Sequence, residues 1–337
     1  MKDPIFVIGS PRSGTSLLYY LIAAHPSLMY PDIGTKNILR DRRLRLLDNA
    51  GMPVLSNSGI HARHLPAPGE TPFEEGLKFL GLDPLLPQEG DFMWQELIAR
   101  YENTVGAYAN CNRHTHPILY TRIRRRYESL LKRHDLTRII DKSPQFTVML
   151  DVIRALYPDA YIVHIVRDGR AVVNSIAYAF KYRKKSDGSP WAHDGFRWWG
   201  PRPSDWRDHD DKDPVTRACH QWSSLIAEGR RAADLFPGRY HEIRYEDLVH
   251  NTAENVARIQ AFCGLSAGEV AYPDHLEDRN YKWKNQQAQS FGDTVWTDRC
   301  AIGQEDRDSL EIIRPKLESL GYVSRGESLV PGEAVLV

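Results

Sequence analysis

Short runs of apolar residues alternate along this chain with longer segments whose apolar residues recur at helical spacing. The first run covers residues 5–8 and is followed by a small-residue turn, and leucine and isoleucine then recur at three- and four-residue intervals over residues 17–22. Three further runs of the same character cover residues 138–140, 161–166 and 240–244. Strands that alternate with helices predict an α/β fold with a central parallel sheet, flanked by helices in three layers.

The predicted helices lie between these strands and after the last one. The pattern predicts helices over residues 92–108, 118–133, 146–156, 169–180, 218–235 and 252–263, and a last helix ending near residue 321. A basic segment at residues 38–48 is interpreted as a helix with a solvated cationic face.

Two long segments follow neither period. Residues 51–91 are rich in Pro and Gly, and residues 181–214 contain four of the eight Trp of the chain. Disordered segments are poor in Trp, so the second segment is predicted to be an ordered insertion over the site. Long connections of this kind are often functional. We interpret both as lid or substrate segments of a single domain that covers residues 1–337.

Composition narrows the possible partners. The chain has 337 residues, enough for a large core, and its formal net charge is zero. A balanced charge argues against bulk electrostatic binding to nucleic acid or membrane, so an anionic ligand would need locally placed cations. The four Cys are scattered without a CxxC pair and no HExxH motif occurs, so no metal is predicted. No signal peptide or membrane span is predicted either, which indicates a cytoplasmic protein.

The turn after the first strand has a composition suited to binding an anion. Gly9 and Gly14 have the spacing of a Walker A loop, and Ser16 stands at the position of that motif's hydroxyl. Thr15 replaces the lysine, however, and Arg12 places a basic side chain inside the turn. A triphosphate is therefore disfavoured, and an anion held by backbone amides, hydroxyls and one arginine is favoured. The alternative is an ordinary strand–helix turn that carries an arginine.

Polar clusters follow three of the predicted strands. They cover residues 9–16, 141–144 and 167–170. In a parallel sheet, ligands bind beyond the carboxyl ends of the strands, so the three clusters predict one site. Arg167 and Ser175 would be about 12 Å apart along a continuous helix. They could share a ligand only if Arg167 lies in the loop before that helix.

Four segments resemble motifs of the PAPS-dependent sulfotransferases, where PAPS is 3′-phosphoadenosine 5′-phosphosulfate. Residues 6–16 are similar to the 5′-phosphosulfate loop, and residues 166–175 to the 3′-phosphate motif. Residues 141–144 resemble the lysine-containing strand end of the tyrosylprotein and heparan branches, and residues 245–248 their Tyr-Glu-x-Leu element. The motifs occur in the order of the family and resemble a bacterial-type member nearest to those two branches.

The resemblance implies in-line sulfuryl transfer from PAPS without a metal. Arg12 and Lys142 would stabilise the sulfuryl and bridging oxygens, and Asp32 is the first candidate for the general base. Arg167 and Ser175, with Arg170 as a further candidate, would hold the 3′-phosphate. The residues implied to bind PAPS are Arg12, Ser13, Gly14, Thr15, Ser16, Arg167, Ser175 and Tyr245.

The general base is the point at which the chain departs from the family. The position of the catalytic Glu of the tyrosylprotein branch falls on Ile33, one residue after Asp32. His61, His64 and His116 are the alternatives, because imidazole is suited to proton removal near neutral pH. The tail also carries basic residues to which the sequence assigns no role, namely Lys282, Lys284 and Arg299.

The acceptor predicted from these observations is a small-molecule or lipid-type hydroxyl, or an amine. A protein-tyrosine or carbohydrate acceptor is the alternative within the family. Two other classes stay open, a P-loop kinase or NTPase and a non-catalytic module that kept the fold. The lysine missing at Thr15 argues against the first, and the presence of Arg12, Lys142, Arg167 and Ser175 argues against the second. The oligomeric state is left open.

Overall fold

The computed structural model describes residues 2–31, 90–182, 198–266, 302–325 and 327–329. The strands are β1 (Ile5–Ile8), β2 (Leu28–Met29), β3 (Arg138–Lys142), β4 (Tyr161–Val166) and β5 (Tyr240–Arg244). The helices are α1 (Thr15–Ala23), α2 (Asp91–Ile98), α3 (Pro117–Arg133), α4 (Leu150–Leu156), α5 (Gly169–Tyr182), α6 (Pro214–Arg230), α7 (Ala232–Leu235), α8 (Tyr245–His250), α9 (Thr252–Phe262), α10 (Arg307–Glu311) and α11 (Arg314–Ser319).

The strands form one five-stranded sheet in the order β2-β3-β1-β4-β5. Every neighbouring pair is parallel, and β1 lies at the centre with Ile5 opposite Ile140 of β3 and Tyr161 of β4. The predicted α/β fold with a central parallel sheet flanked by helices is therefore confirmed. All strand carboxyl ends meet at one edge, which we call the ligand edge of the sheet.

Both faces of β1 are covered, because its side chains alternate between two apolar clusters. Phe6 and Ile8 pack in the cluster that includes Trp94 of α2 and Phe146. The side chains of opposite parity pack in a second cluster under α1 and α9, formed among others by Ile5, Val7, Leu18, Leu21, Val256 and Ile259. A strand that is apolar throughout is typical of a parallel sheet buried on both faces. A third cluster joins α5 and α6 to the C-terminal helices.

The helix predicted over residues 92–108 is wrong in its length. Helix α2 ends at Ile98, and the following residues turn toward the Trp-rich insertion. There Arg202 donates its amide to the carbonyl of Asn103 at 2.8 Å and accepts from the amide of Val105 at 3.0 Å. These backbone hydrogen bonds to a distant segment replace the helical ones, and Gly106 adopts a φ of 80° outside the helical range.

The helix predicted over residues 146–156 is divided in two. A 3₁₀ turn covers Pro144–Val148, and α4 begins only at Leu150. The Ser143 hydroxyl accepts from the amide of Gln145 and begins the turn, while Thr147 is bonded back to the first loop. Lys142 belongs to β3 itself rather than to the connection after it, and the two-residue strand β2 has no counterpart in the predicted elements.

Several predicted features lie outside the described residues. These are the basic segment 38–48, most of segment 51–91, the first part of the insertion, the candidate bases Asp32, His61 and His64, and the tail residues Lys282, Lys284 and Arg299. Within the part of the chain that the structure describes, no helix is both long enough and apolar enough to cross a membrane.

Candidate functional site

The loop after β1 is fixed at its start by one hydroxyl. The amide of Gly9 donates to Oγ1 of Thr147 at 3.1 Å, and that hydroxyl donates to the carbonyl of Gly9 at 3.2 Å. A Cβ at Gly9 would lie 2.6 Å from the carbonyl oxygen of Ile165. The loop therefore leaves the sheet between β4 and the turn that follows β3, with no room for a side chain at its first residue.

Because the Thr147 hydroxyl is hydrogen-bonded to both backbone groups of Gly9, its contribution to the stability of the fold can be measured. We expect Thr147→Val to lower the free energy of unfolding by about 1–3 kcal/mol, since the buried amide of Gly9 loses its acceptor. Chemical denaturation measures this. Thr121→Val is the matched control, because the exposed Thr121 hydroxyl donates only to Pro117 of its own helix. An equal loss in both variants would contradict the assignment.

The N-terminus of α1 is open toward the ligand edge. Gly14 precedes the helix in the left-handed conformation, with φ 92°, and the first helical hydrogen bond joins the amide of Leu18 to the carbonyl of Gly14 at 3.1 Å. The amides of residues 15–17 consequently have no carbonyl acceptor within the helix. Amides of this kind, at the positive end of the helix dipole, bind anions.

Lys142 reaches this helix from the neighbouring strand. Its side chain is 1% exposed, and its Nζ donates to Oγ of Ser16 at 3.0 Å. As the last residue of β3, it lies beside β1 at the ligand edge, where the register pairs it with Val7. The structure thus brings Lys142 and the first turn of α1 together, as the sequence predicted.

Arg12 connects the loop after β1 to the segment that follows β4. Its Nε donates to Oγ of Ser175 at 2.9 Å, and its carbonyl accepts from a terminal nitrogen of Arg167 at 3.1 Å. Its guanidinium lies 5.2 Å from the ring centre of Trp199 in the insertion. The backbone of Arg12 adopts a φ of 69°. Positive φ is uncommon for residues other than glycine, and such residues are often found at functional sites.

Arg12 also explains how Arg167 and Ser175, which are eight positions apart, contact the same residue. Helix α5 begins at Gly169, so Arg167 lies in the connection before it, and Ser175 lies about 9 Å along the helix axis. The side chain of Arg12 spans the gap between them. The condition set by the sequence, that Arg167 must precede the helix, is met.

Among the residues that the structure describes, buried polar atoms of the first loop and of the segment after β4 have no hydrogen-bond partner. They are Oγ of Ser13 and Nε of Arg167. The guanidinium of Arg167 is held over the ring of Tyr245 at 4.3 Å, which keeps it at the ligand edge. Buried polar atoms are almost always satisfied, so orphaned donors beside a free helix N-terminus fit a bound anion. The residues present therefore fit the phosphate groups that the resemblance implied.

Glu246 holds the loop after β4 in place, a role that the sequence did not predict. It is buried, and its carboxylate accepts from the amide of Asp168 at 3.2 Å and from the hydroxyl of Tyr322 at 2.9 Å. Burial raises the pKa of Glu246, against the lowering effect of these bonds. Its position directly after Tyr245 in the Tyr-Glu-x-Leu segment is the feature of the sequence that could have identified it as a site residue. Through Asp168 it fixes the backbone that carries Arg167.

Arg170 takes part in contacts within the loop after β4. Its guanidinium forms a two-point ion pair with Asp168, with a shortest distance of 2.7 Å, and also donates to the carbonyl of Tyr322. The pair is buried, so Arg170 supports the loop. A role for Arg170 at the 3′-phosphate stays a prediction, beside the structural role that these contacts give it.

Of the candidate bases, only His116 lies among the described residues. It stands at the start of α3, where Nε2 shares a hydrogen bond with the hydroxyl of Tyr101 and the two rings are 5.6 Å apart. These contacts belong to the turns after α2 and not to the loop after β1. The identity of the base stays a prediction. Across the described ranges, no group of three or more His, Cys, Asp or Glu is placed to hold a metal ion.

Comparison with known proteins gives results at the level of family and fold. A model of the sulfotransferase family matches residues 4–269. The omega-hydroxy-beta-dihydromenaquinone-9 sulfotransferase Stf3 of Mycobacterium bovis is 24% identical over 298 residues, which cover 80% of this chain and 65% of that protein. The Stf3 protein of Mycobacterium tuberculosis has the same identity and coverage. The chain thus spans just under two thirds of the length of these relatives.

A solved structure is similar to this chain in its fold. The crystal structure of sulfotransferase STF1 from Mycobacterium tuberculosis is similar with a TM-score of 0.53 at 17% identity, over 93% of this chain and 76% of that one. At this identity the likeness concerns the fold alone.

Proposed function

This chain belongs to the sulfotransferase family, and from that premise we propose that it transfers a sulfuryl group from PAPS to a hydroxyl or amine of a small-molecule or lipid-type acceptor. One observation carries the choice of donor. Lys142, from the end of β3, reaches the first turn of α1, and Arg12, from the loop before that helix, meets Ser175 and Arg167 beyond the end of β4. Two separate anion positions on one edge suit a nucleotide with a phosphate at each end of its ribose.

Each group has a task that follows from its position. The amides of residues 15–17 would hold the 5′-phosphate, together with the orphaned hydroxyl of Ser13. Arg167 and Ser175 would hold the 3′-phosphate, and Tyr245 would keep the guanidinium of Arg167 in place by a cation–π contact. PAPS supplies an electrophilic sulfur and a leaving group, adenosine 3′,5′-bisphosphate.

Lys142 and Arg12 would carry the electrostatic part of the reaction. An acceptor oxygen forms a bond to sulfur as the bond from sulfur to the bridging oxygen breaks, and the acceptor proton passes to a general base. Negative charge grows on the bridging oxygen, and a buried ammonium beside it stabilises that charge far more than in water. Lys142 is buried at the ligand edge, which suits it to this task. Asp32, His61, His64 and His116 stay the proposed alternatives for the base.

The acceptor class rests on two supports. Trp199 lies against Arg12, so an aromatic surface adjoins the place proposed for the sulfuryl group. The relative Stf3 is named for an omega-hydroxylated dihydromenaquinone, a lipid-type alcohol. We therefore propose a hydroxyl on an apolar molecule before a peptide tyrosine or a carbohydrate. We also propose that residues 1–337 form one sulfotransferase domain.

Donor and acceptor are tested separately. Calorimetric titration with adenosine 3′,5′-bisphosphate and with ATP tests the donor site, and tighter binding of the bisphosphate is expected. Sulfur-35 transfer from labelled PAPS to 1-dodecanol in micelles, to 4-nitrophenol and to a tyrosine peptide tests the acceptor, and the alcohol is the expected product. Preference for ATP would favour a kinase or NTPase. Binding of the bisphosphate without turnover of PAPS would favour a non-catalytic module.

Arg167→Ala is expected to weaken binding of adenosine 3′,5′-bisphosphate by about tenfold to a hundredfold. The reason is the loss of a charge-assisted hydrogen bond to a phosphate, worth about 1.5–3 kcal/mol. Isothermal titration calorimetry measures the change. Arg124→Ala on the exposed face of α3 is the control, because it removes the same charge away from the ligand edge. Equal affinities for the two variants would show that Arg167 does not contact the nucleotide.

A further inference from the structure

The carboxyl group of Asp141 is buried directly beside the proposed catalytic lysine and has no part in the chemistry described so far. Its residue is fully buried, and its side chain lies on the face of β3 opposite to that of Lys142, because side chains alternate along a strand. It therefore cannot reach the ligand that Lys142 would contact. Any influence on the reaction must pass through the backbone or through charge.

The hydrogen bonds around this carboxyl group have a defined direction. The indole nitrogen of Trp94 donates to the hydroxyl of Tyr127 at 2.7 Å, and an indole can only donate. The hydroxyl proton of Tyr127 is therefore available to Oδ2 of Asp141, with which it is hydrogen-bonded. The amide of Lys142 donates to Oδ1 at 2.6 Å. Both oxygens thus receive donors, as a carboxylate requires, and a protonated carboxyl would leave one proton without an acceptor.

The same carboxyl group adjoins the backbone that closes over Lys142. The amide of Gly90 donates to the carbonyl of Lys142 at 3.1 Å. A Cβ at Gly90 would lie 1.8 Å from Oδ2 of Asp141, so only glycine allows this approach. Lys142 is consequently held on one side of its backbone by Asp141 and on the other by Gly90.

We propose that Asp141 in its ionised form is a positioning residue, which holds the backbone of Lys142 and so places its ammonium group for sulfuryl transfer. This inference rests on the proposed function, where Lys142 has that task. Protonation of Asp141 weakens the bond from the amide of Lys142, because hydrogen bonds to a charged acceptor are about twice as strong as neutral ones. The activity of the enzyme then follows the ionisation of a group that does not touch the substrate.

The surroundings of Asp141 place its pKa in a pH range that experiments can cover. Burial raises the pKa of Asp141 to about 8, against the hydrogen bonds from Tyr127 and from the amide of Lys142 and against the charge of Lys142, which lower it. Asp91 on α2 raises it further. Tyr157, after α4, also faces the carboxyl group, and burial keeps that phenol neutral by raising its pKa.

Activity is the first test, with the acceptor that the wild-type protein sulfates best. The wild-type kcat is expected to rise with pH around the pKa of about 8. Asp141→Asn should show a flat profile, about tenfold to a hundredfold below the alkaline wild-type value, with little change in KM for PAPS. A variant that keeps the wild-type rise, or that changes KM alone, would overturn the proposal.

Two neighbouring variants should move the rise in opposite directions. Tyr127→Phe removes a donor to the carboxylate and should shift the rise to higher pH, whereas Asp91→Asn removes a like charge and should shift it to lower pH. Tyr120→Phe is the control on the same helix, since its hydroxyl donates to the carbonyl of Cys111. Shifts in one direction for both variants, or a shift in the control, would contradict the assignment.

Protein stability gives a measurement that needs neither donor nor acceptor. The folded pKa of Asp141 is raised above its ordinary value of 3.8, so wild-type stability relative to Asp141→Asn should fall between about pH 4 and about pH 8 and level off above. Urea unfolding across this range measures the difference, and a constant difference would overturn the titration of Asp141. A wild-type protein that titrates in this way but neither binds adenosine 3′,5′-bisphosphate nor turns over PAPS would overturn the positioning role together with the proposed function.

Discussion

Lys142→Met is expected to lower kcat for sulfuryl transfer by about 10²–10³-fold, the usual cost of removing one preorganised group from developing negative charge. Methionine has nearly the length of lysine and suits a site where Lys142 is only 1% exposed, so the change removes the charge with little loss of packing. Affinity for PAPS should change little, because the bridging oxygen gains its negative charge only as its bond to sulfur breaks. Steady-state kinetics with labelled PAPS, and calorimetry with PAPS in the absence of an acceptor, separate the two effects.

The control for this experiment is Lys132→Met on the exposed face of α3. It removes the same charge away from the ligand edge and should leave kcat unchanged. Circular dichroism and thermal melting of both variants check that the fold is kept. If Lys142→Met weakened nucleotide binding as strongly as turnover, the lysine would be a binding group and not a group that acts on the transition state.

Position along the chain was enough to predict which polar segments meet. The apolar runs that became β1, β3 and β4 each precede a polar segment, and parallel strands place their carboxyl ends together. The convergence of Arg12, Lys142 and Arg167 follows from this topology and needs no knowledge of side-chain geometry. The central sheet could be predicted for the same reason, since buried parallel strands are continuous apolar runs.

The contacts that hold the site could not be predicted in this way, because they join residues distant in sequence without a periodic signal. Thr147 is 138 residues from Gly9, to which it is hydrogen-bonded. Glu246 is 78 residues from Asp168. Helix α2 ends early because the residues after it form backbone hydrogen bonds to Arg202. Local helix propensity carries no information about such a tertiary contact. The ion pair between Arg170 and Asp168 likewise has no signal in the sequence.

The structure also shows how strongly the site depends on the shape of one turn. Arg12 and Gly14 both have positive φ, so the loop after β1 leaves the common backbone conformations twice within three residues. Such conformations cost about 1–3 kcal/mol each for residues with a side chain. The surrounding contacts sustain them, because Arg12 is held by Ser175 and Arg167, and Gly14 is packed against Tyr245.

Gly14→Ala is therefore expected to affect both stability and nucleotide binding, whereas Gly106→Ala should affect stability alone. The two glycines have similar φ, 92° and 80°, so the backbone strain of an alanine is similar in both. They differ in surroundings. A Cβ at Gly14 would lie 2.4 Å from Cδ2 of Tyr245, whereas a Cβ at Gly106 would have no atom of the described residues within 4 Å.

Gly106→Ala should lower the free energy of unfolding by about 1 kcal/mol through strain alone. Gly14→Ala should lose about 3 kcal/mol, since a close contact with an aromatic ring is added to the same strain. Because Tyr245 lies under the guanidinium of Arg167, its displacement should also weaken binding of adenosine 3′,5′-bisphosphate by about tenfold or more. Urea unfolding and calorimetry measure the two effects. Equal stability losses in the two variants, or unchanged affinity in Gly14→Ala, would show that the contact between Gly14 and Tyr245 does not maintain the site.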